Sequence, residues 1–378
     1  MKITGITTHI VSSQHRNAQR NWLILRLDTD EGLVGWGEAS MLGHDPLVAQ
    51  LLEEWATEYL CGKNPLSHEL HWTRLYHDAK GRGGRLFSTA LSGIDLALWD
   101  LKGKALGVPL YELLGGPLRQ RLRVYANGWY DVRGTPEEIA AQACEVVSMG
   151  YTALKFDPFG HTAYTLSSQE AQVSVDRVAA VREAVGANVD ILVEAHAKFN
   201  VATAVQLGRR LERYRPLFYE EPVSYENISE MVQVRQRVDI PIATGERLYL
   251  KFPFFELVKM EAVDVLQPDI CNAGGITELK KIAAIAESQH VLMAPHNTNS
   301  PLGTAACFHL DASLPNFLIQ EYHAEFYSPF YFELFEGLPR QRDGYVDLPT
   351  GPGLGLSFNE EVAAAHPYRP LGWSERGI

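Results

Sequence analysis

Long apolar runs are missing from this 378-residue chain. No stretch stays apolar for 18 residues, so no membrane-spanning helix is expected. An excess of positive charge is missing too. Lys and Arg number 34 against 46 Asp and Glu, a net charge of −12, which argues against nucleic acid or an anionic membrane as the main partner. A small anionic substrate stays open, because it responds to local charge. Cysteine is scarce: Cys61, Cys144, Cys271 and Cys307 lie far apart and form no CxxC pair. Buried, reduced thiols of a cytosolic protein are therefore expected rather than a disulfide framework. The opening MKITGITTHIVSS alternates like a strand and has no long apolar stretch of the secretory kind, so a cytoplasmic location is expected. Low-complexity tracts and short-period repeats are absent.

What remains is an ordinary globular composition, 46% hydrophobic and 21% charged. The length exceeds a typical single core and predicts a barrel of about 250 residues with a second domain. Residues 1–40 read as antiparallel strands, ITGITTHIV and then WLILRLDTDEGLVGWGEAS with a hairpin turn at DTDEG. Helical patterns follow from about 46 to 115, among them LVAQLLEEWATEYL and FSTALSGIDLALWDLKGKAL, the latter stopped by Gly107 and Pro109.

From Leu122 onward strand-like runs alternate with helical ones. The strand-like runs are RVYANG, TALKFD, DILVEAH, PLFYEE, IPIATGE, AVDVLQPD, VLMAPH and FLIQEY. Between them lie helices such as TPEEIAAQACEVVSMG, with Thr135 as N-cap and Gly150 as stop. Eight strands with helical crossovers predict an α/β fold of the (β/α) barrel type. An open doubly wound sheet would carry a glycine-rich nucleotide turn after its first strand, and ANGWYDVRG is not one. The tail from about Tyr331 has strand-like DGYVDLP and turn-rich TGPGLGLS, and is expected to return to the first domain.

Glu194, Glu220 and Glu246 end three successive strand-like runs, 26 residues apart twice over. That interval fits one strand–helix–strand unit of about 25–30 residues. Three acids at the carboxyl ends of adjacent strands converge, repel one another and resist desolvation, so they imply a cation. Oxygen ligands alone suit a hard ion, Mg²⁺ first, because it keeps positions for water and substrate. Alternation cannot turn both Glu220 and Glu221 inward; the equal spacing selects Glu220 and leaves Glu221 to a neighbouring contact.

The other strand ends carry Lys155 and Asp157, His196, Arg247, Asp269, His296 and Glu321. Asp269 precedes the strand of His296, so a carboxylate–imidazole pair suited to a general base is expected there. The Asn272–Gly275 stretch (NAGG) reads as a phosphate nest or, more simply, as a turn. A Schiff-base role for Lys155 would not need three metal-type acids beside it. Arg16, Arg20 and the basic run Lys80 to Arg85 are either solvated loop charges or arms over the barrel mouth.

These segments resemble the enolase superfamily, specifically its mandelate racemase/muconate lactonizing enzyme group, and closest to its gluconate and galactonate (sugar acid) dehydratases. SGIDLALWDLKGKALGVPLYELLGG is similar to that group's cap-to-barrel connection. The EEP, GER, QPD…GGIT and APHN segments, and VYANGWY…TPEE…MGYTALKFDPFG, resemble dehydratase sequences.

The resemblance implies a (β/α)7β modified TIM barrel (118–328) under an α+β capping domain (1–117), with a C-terminal segment (329–378) returning to the cap. It implies Mg²⁺ on Glu194, Glu220 and Glu246, a base dyad of His296 with Asp269, His196 as a second acid–base group, and Glu321 bonding the substrate carboxylate while protonated. Glu194 departs from the more usual Asp, and Lys155-Phe-Asp157 departs from the Lys-x-Lys of racemases. The implied activity is dehydration of a small anionic sugar acid to a 2-keto-3-deoxy acid, by a homo-oligomer, dimer or octamer. The cap segments 14–22 and 41–46, with Arg82 or Arg85, would read the sugar. Racemisation, epimerisation or lactone cycloisomerisation through the same enediolate is the neighbouring alternative. A non-catalytic metal-binding barrel is the alternative of another class.

Overall fold

The computed structural model describes residues 1–15, 18–78, 84–161, 163–327 and 329–372. Arg16, Lys80 and Arg82 lie outside them. The chain begins with an antiparallel meander in the order β1 (Ile3–His15), β2 (Ala18–Thr29), β3 (Val34–Glu38), turned at Gly32, where φ is +78°. Strand β2 is apolar on both faces because both are covered. Leu23, Leu25 and Leu27 pack beneath the helices α1 (Asp45–Trp55), α2 (His68–Asp78) and α3 (Arg85–Leu106). Trp22 and Ile24 on the other face join the main core, with Trp22 edge-on to Tyr327 and Tyr331.

Helix α3 lies directly on β3. A Cβ at Gly35 or Gly37 would meet the carbonyl oxygens of Ala97 or Gly93 at 2.2 and 2.0 Å, so the GWGE segment needs its glycines for this approach. Gly107, at φ +69°, ends α3 in the left-handed conformation. A short α4 (Leu110–Leu113) leads to the barrel.

The barrel alternates β4 (Arg121–Ala126), α5 (Pro136–Ser148), β5 (Ala153–Phe156), α6 (Ser168–Val185), β6 (Asp190–Glu194), α7 (Val201–Leu211), β7 (Tyr219–Glu220), α8 (Ile228–Arg235), β8 (Ile242–Thr244), α9 (Lys251–Lys259), β9 (Val265–Leu266), α10 (Gly275–Glu287), β10 (Leu292–Met293), α11 (Pro301–Ala312) and β11 (Gln320–Tyr322). Eight parallel strands and seven crossover helices make the (β/α)7β barrel. The ring closes on both sides of β11: Gln320–Tyr322 pair with Val124–Ala126, and Leu318 N donates to Met293 O at 2.8 Å. Thr135 caps α5 through a reciprocal box with Glu138.

The barrel interior is filled by Tyr125, Ala153, Leu192, Phe218, Ala243, Val265, Ala294 and Ile319, one residue per strand or strand end. Side chains alternate along a strand, so the residue two further on faces the same interior one layer higher. Those residues are Asn127, Lys155, Glu194, Glu220, Gly245, Gln267, His296 and Glu321. The polar layer is thus fixed by the apolar one beneath it.

The last segment comprises α12 (Phe330–Leu334), β12 (Phe335–Glu336), β13 (Tyr345–Asp347), β14 (Ser357–Phe358) and α13 (Glu360–Ala365). Its end reaches the first sheet: Ser12 N donates to His366 O, Asn21 Nδ2 donates to Arg369 O, and Arg26 pairs with Glu360. Strand β13 pairs instead with β4 of the barrel. All four cysteines are free, but only Cys271 and Cys307 are buried. The expectation of four buried thiols is corrected for Cys61, which follows the π-helical stretch Ala56–Leu60 after α1, and for Cys144 on the outer side of α5; both are exposed. Among the described residues no helix is long and apolar enough to cross a membrane.

Candidate active site and metal centre

Glu194 and Glu220 are the last residues of β6 and β7 and are register partners, so their carboxylates leave the sheet side by side. Glu246 arrives differently. Its strand ends at Thr244, and strict alternation would turn Gly245 inward and Glu246 away. Gly245 breaks that alternation at φ +148° and brings Glu246 back. A side chain there would strike Gln267 N and C and Phe254 Cε1, each at 2.9 Å. The equal 26-residue spacing therefore hides an unequal construction: two strand termini and one kinked turn.

One ligand oxygen from each of Glu194, Glu220 and Glu246 lies within 4.8 Å of the others. Glu194 Oε2 and Glu220 Oε1 are buried without hydrogen-bond partners. Burial, with repulsion from Glu246, pushes the Glu194 carboxyl up to about 7, and burial with the Glu194 charge raises Glu220 well above the carboxylate range. Unsatisfied buried oxygens, mutual repulsion and an all-oxygen donor set fit a divalent cation. Glu221, which alternation turns away, accepts from Arg247 Nε at 2.8 Å at a backbone φ of +43°. Arg247 also meets Glu246 Oε1 at 3.0 Å, so this pair braces the third ligand.

Lys155 stands beneath the cluster, with Nζ 2.8 Å from Glu220 Oε2, 3.1 Å from Glu321 Oε1 and 3.6 Å from Glu194 Oε2. Burial works to lower its pKa, but Glu220 and Glu321 outweigh it and hold it well above the ordinary range. A lysine kept cationic in this way is not a Schiff-base nucleophile.

Two imidazoles flank the carboxylates. His196 follows the third barrel strand and His296 the seventh, which puts them across the ring from one another. His296 Nδ1 is 2.7 Å from Asp269 Oδ2, and its Nε2 is 3.4 Å from Glu246 Oε2. Asp269 is itself oriented by Cys271 N and Asn272 Nδ2 on Oδ1 and by Asn299 Nδ2. Burial would lower the His296 pKa, yet Glu246, Glu321 and Asp269 together push it up to about 10. A cation on the glutamates would offset the Glu246 field, the largest of the raising influences.

His196 Nδ1 is 2.7 Å from Asp157 Oδ2, so the second histidine has a carboxylate partner as well. Alternation placed Asp157 two residues above Lys155; it gave no sign that the neighbouring strand's histidine would take it.

Glu321 is surrounded by donors: Asn127 Nδ2 at 2.6 Å, Lys155 at 3.1 Å, His323 Nε2 at 3.3 Å and Asn297 N at 2.7 Å. Burial raises a carboxyl, but Lys155 and His296 overcome it and hold Glu321 well below its usual range. Asn127, Asn297, Asn299 and His323 went unread in the sequence. For Asn127 and His323 the signal was available, since both continue the inward phase of β4 and β11.

The NAGG stretch is a docking point for the cap. Trp72 Nε1 donates to Gly274 O at 2.8 Å, Gly274 N donates to Ser92 Oγ at 2.9 Å, and a Cβ on Gly275 would strike Asp95. Asn272 Oδ1 accepts from Thr89 Oγ1, which ties Asp269 through Asn272 to α3. The simple turn reading holds and the phosphate nest does not. Arg85 lies exposed at the start of α3, while Arg20 is partly buried and acts on His323 and Tyr327.

Residues 4–115 match the N-terminal domain of the mandelate racemase/muconate lactonizing enzyme family, and residues 138–362 match the enolase C-terminal domain-like family. The D-gluconate dehydratase of Thermoproteus tenax is 40% identical over 353 residues, covering 92% of this chain and 70% of that protein. The D-galactonate dehydratase of Verminephrobacter eiseniae is 37% identical over 368 residues, covering 96% and 93%. Among solved structures, a mandelate racemase/muconate lactonizing enzyme from Sulfitobacter sp. superposes with a TM-score of 0.92 at 35% identity, covering 98% of this chain and 97% of that one. One from Jannaschia sp. CCS1 gives 0.90 at 34%, covering 98% of each.

Proposed function

The chain belongs to the mandelate racemase/muconate lactonizing enzyme family of the enolase superfamily, and from that premise we propose its reaction in detail. It is a sugar acid dehydratase, a hydro-lyase. We assign it an aldonate substrate, D-gluconate or D-galactonate, and Mg²⁺ as its cation. The observation that carries the reading is the pair of carboxylate-held imidazoles on opposite sides of the three-glutamate cluster.

The proton α to a carboxylate is very weakly acidic, because its loss sets a second negative charge beside the first. A divalent cation held by Glu194, Glu220 and Glu246 would supply the positive charge that offsets it. Mg²⁺ is preferred because the donors are all oxygen and it keeps positions for water and substrate. The superfamily is among the established cases of a His or Lys base working with Mg²⁺, so that pairing is not a finding of ours.

His296 Nε2 takes the C2 proton while Asp269 fixes the opposite ring nitrogen and its tautomer. The C2–H electron pair first passes into the carboxylate as an enediolate, and in a second step becomes a C2–C3 π bond as the C3–O bond breaks. His196 gives its Nε2 proton to the departing hydroxyl, which leaves as water. The enol that remains takes a proton at C3, loses the proton of its C2 hydroxyl to water, and becomes the 2-keto-3-deoxy acid. Each acid–base group is typically worth about 10²–10⁴-fold. The two imidazoles follow the third and seventh strands, on opposite sides of the ring, and this supports departure of proton and hydroxyl from opposite faces. Lys155, held cationic, steadies the Glu220 and Glu321 carboxylates through the cycle.

The test incubates the protein and Mg²⁺ with a panel of aldonates and aldarates and assays 2-keto-3-deoxy acid. His296→Asn is expected to lose both turnover and exchange of the C2 proton with solvent deuterium. His196→Asn is expected to keep exchange and lose dehydration. Wild-type dehydration by His296→Asn would sink the base assignment. The opposed imidazoles also favour a second reading, epimerisation at C2. Deuterium in recovered substrate without keto acid would select it. A homo-oligomeric, cytoplasmic enzyme is part of the same proposal, on the strength of the resemblance; light scattering tests the oligomer.

A further inference from the structure

Lys198 has no part in the roles assigned above. It lies four residues beyond Glu194 on the loop that carries His196, and its side chain is 11% exposed. Its Nζ donates to Asp157 Oδ2 and, at 2.6 Å, to Gly160 O. The oxygen it shares is the one that holds His196 Nδ1 at 2.7 Å. The other carboxylate oxygen, Asp157 Oδ1, accepts from Phe159 N at 2.8 Å.

The two histidines are held in different ways. His296 is 14% exposed, and its Asp269 is fixed by two side-chain amides and a backbone N–H. His196 is 40% exposed, and among the described residues its ring has no hydrogen bond except that to Asp157. Among the described residues no side-chain amide holds Asp157; Lys198 stands where Asn272 and Asn299 stand for Asp269. The backbone beneath His196 is also strained. His196 and Ala197 have φ of +50° and +58°, where a non-glycine residue costs on the order of 1–2 kcal/mol. Such a turn keeps its shape only when its surroundings over-determine it. The two Lys198 bonds do this by joining the loop after β6 to Asp157–Gly160 after β5.

We propose that Lys198 is a positioning residue for the second histidine: it staples the two loops and fixes Asp157 so that His196 Nε2 faces the departing hydroxyl. The inference rests on the reading of His196 as the group that protonates that hydroxyl. Misplacing a reacting group by about 1 Å can cost about 10²-fold. Proton removal at C2 belongs to His296 across the ring and does not pass through this loop.

Lys198→Met keeps most of the stem and loses both bonds. It is expected to lower kcat for dehydration by about 10–100-fold while KM and the rate of C2-proton exchange change less than about threefold. Lys198→Arg, which keeps a cation beside Asp157, is expected to recover part of the lost kcat. Asp157→Asn reads the same partition should Lys198→Met not fold, and is expected to favour exchange over dehydration in the same sense. His196→Asn is the reference. If it does not separate exchange from dehydration, the reading of His196 itself fails. If it separates them while the folded variants at 198 and 157 depress both processes equally, or neither, the positioning role is overturned.

Discussion

Gly245→Ala should cost this protein both stability and its cation, because one glycine sets the direction of the third ligand. The backbone at Gly245 has φ +148°, a region alanine avoids. Strained backbone of this kind costs about 1–3 kcal/mol. The added Cβ would also sit 2.9 Å from Gln267 N, Gln267 C and Phe254 Cε1, two of them backbone atoms that cannot swing aside. Overpacking of this sort costs about 1–3 kcal/mol. Together the loss is about 2–6 kcal/mol. Unfolding entropy near 2.1 cal/mol/K per residue gives this chain of 378 residues about 0.8 kcal/mol/K, so Tm should fall by about 3–8 °C.

The chain can relieve the clash only by rotating the turn, which withdraws Glu246 from Glu194 and Glu220. Mg²⁺ affinity should then weaken by about 10–100-fold, the scale on which disturbed ligand positioning is felt. Differential scanning fluorimetry and isothermal titration with Mg²⁺ measure the two effects separately. Glu246→Gln serves as the control, losing affinity with no backbone strain. A Gly245→Ala protein with unchanged Tm and unchanged Mg²⁺ affinity would refute the argument that the kink aims Glu246.

Three further outcomes are expected. The Tm gain from Mg²⁺ should be small near pH 5 and should grow through pH 7: burial holds Glu194 up to about 7 against 4.5 for a free glutamate, so the metal-free fold loses stability as pH rises between those values, while the cation needs the deprotonated form. A gain independent of pH would count against Glu194 as a ligand. Lys155→Met strips the buried cation from Glu220 and Glu321 and should destabilise the metal-free protein by about 3–5 kcal/mol in urea titrations, with Mg²⁺ recovering part; no change would mean the lysine is not their counter-charge. Glu38→Ala should cost about 2–4 kcal/mol, since Glu38 accepts from Ser300 N, Ser300 Oγ and Gly303 N at the start of α11 and from Ser40 Oγ; a loss under about 1 kcal/mol would show the clamp between cap and barrel to be idle.

The barrel was legible because its strands carry a period of two and its helices carry end signals. Thr135 with Glu138, and Gly107 after α3, do in space what their residue types predict. The inward layer was legible for the same reason: Lys155, Glu194, Glu220, His296 and Glu321 each lie two residues above an apolar interior residue. Glu246 came out of the sequence by a different route, through a numerical coincidence of spacing whose physical cause is Gly245. The contacts of the tail with Ser12 and Asn21, and the pairing of β13 with β4, are long-range, and three exposed-buried-exposed residues, Tyr345 to Asp347, carry no mark of which edge they will take.

The sequence by itself determined the barrel, the cap, and the set of acids and histidines at the strand ends, because side-chain alternation is local and one chain position implies the next. Tertiary structure alone decided the pairings: His196 with Asp157 rather than with solvent, Glu221 with Arg247, Asn272 with Thr89 of the cap, and Glu321 with Asn127 and Asn297. Each pairing joins residues from different strands or from different ends of the chain. Their meeting depends on how the ring closes and how the cap seats on it, and no spacing along the chain encodes either.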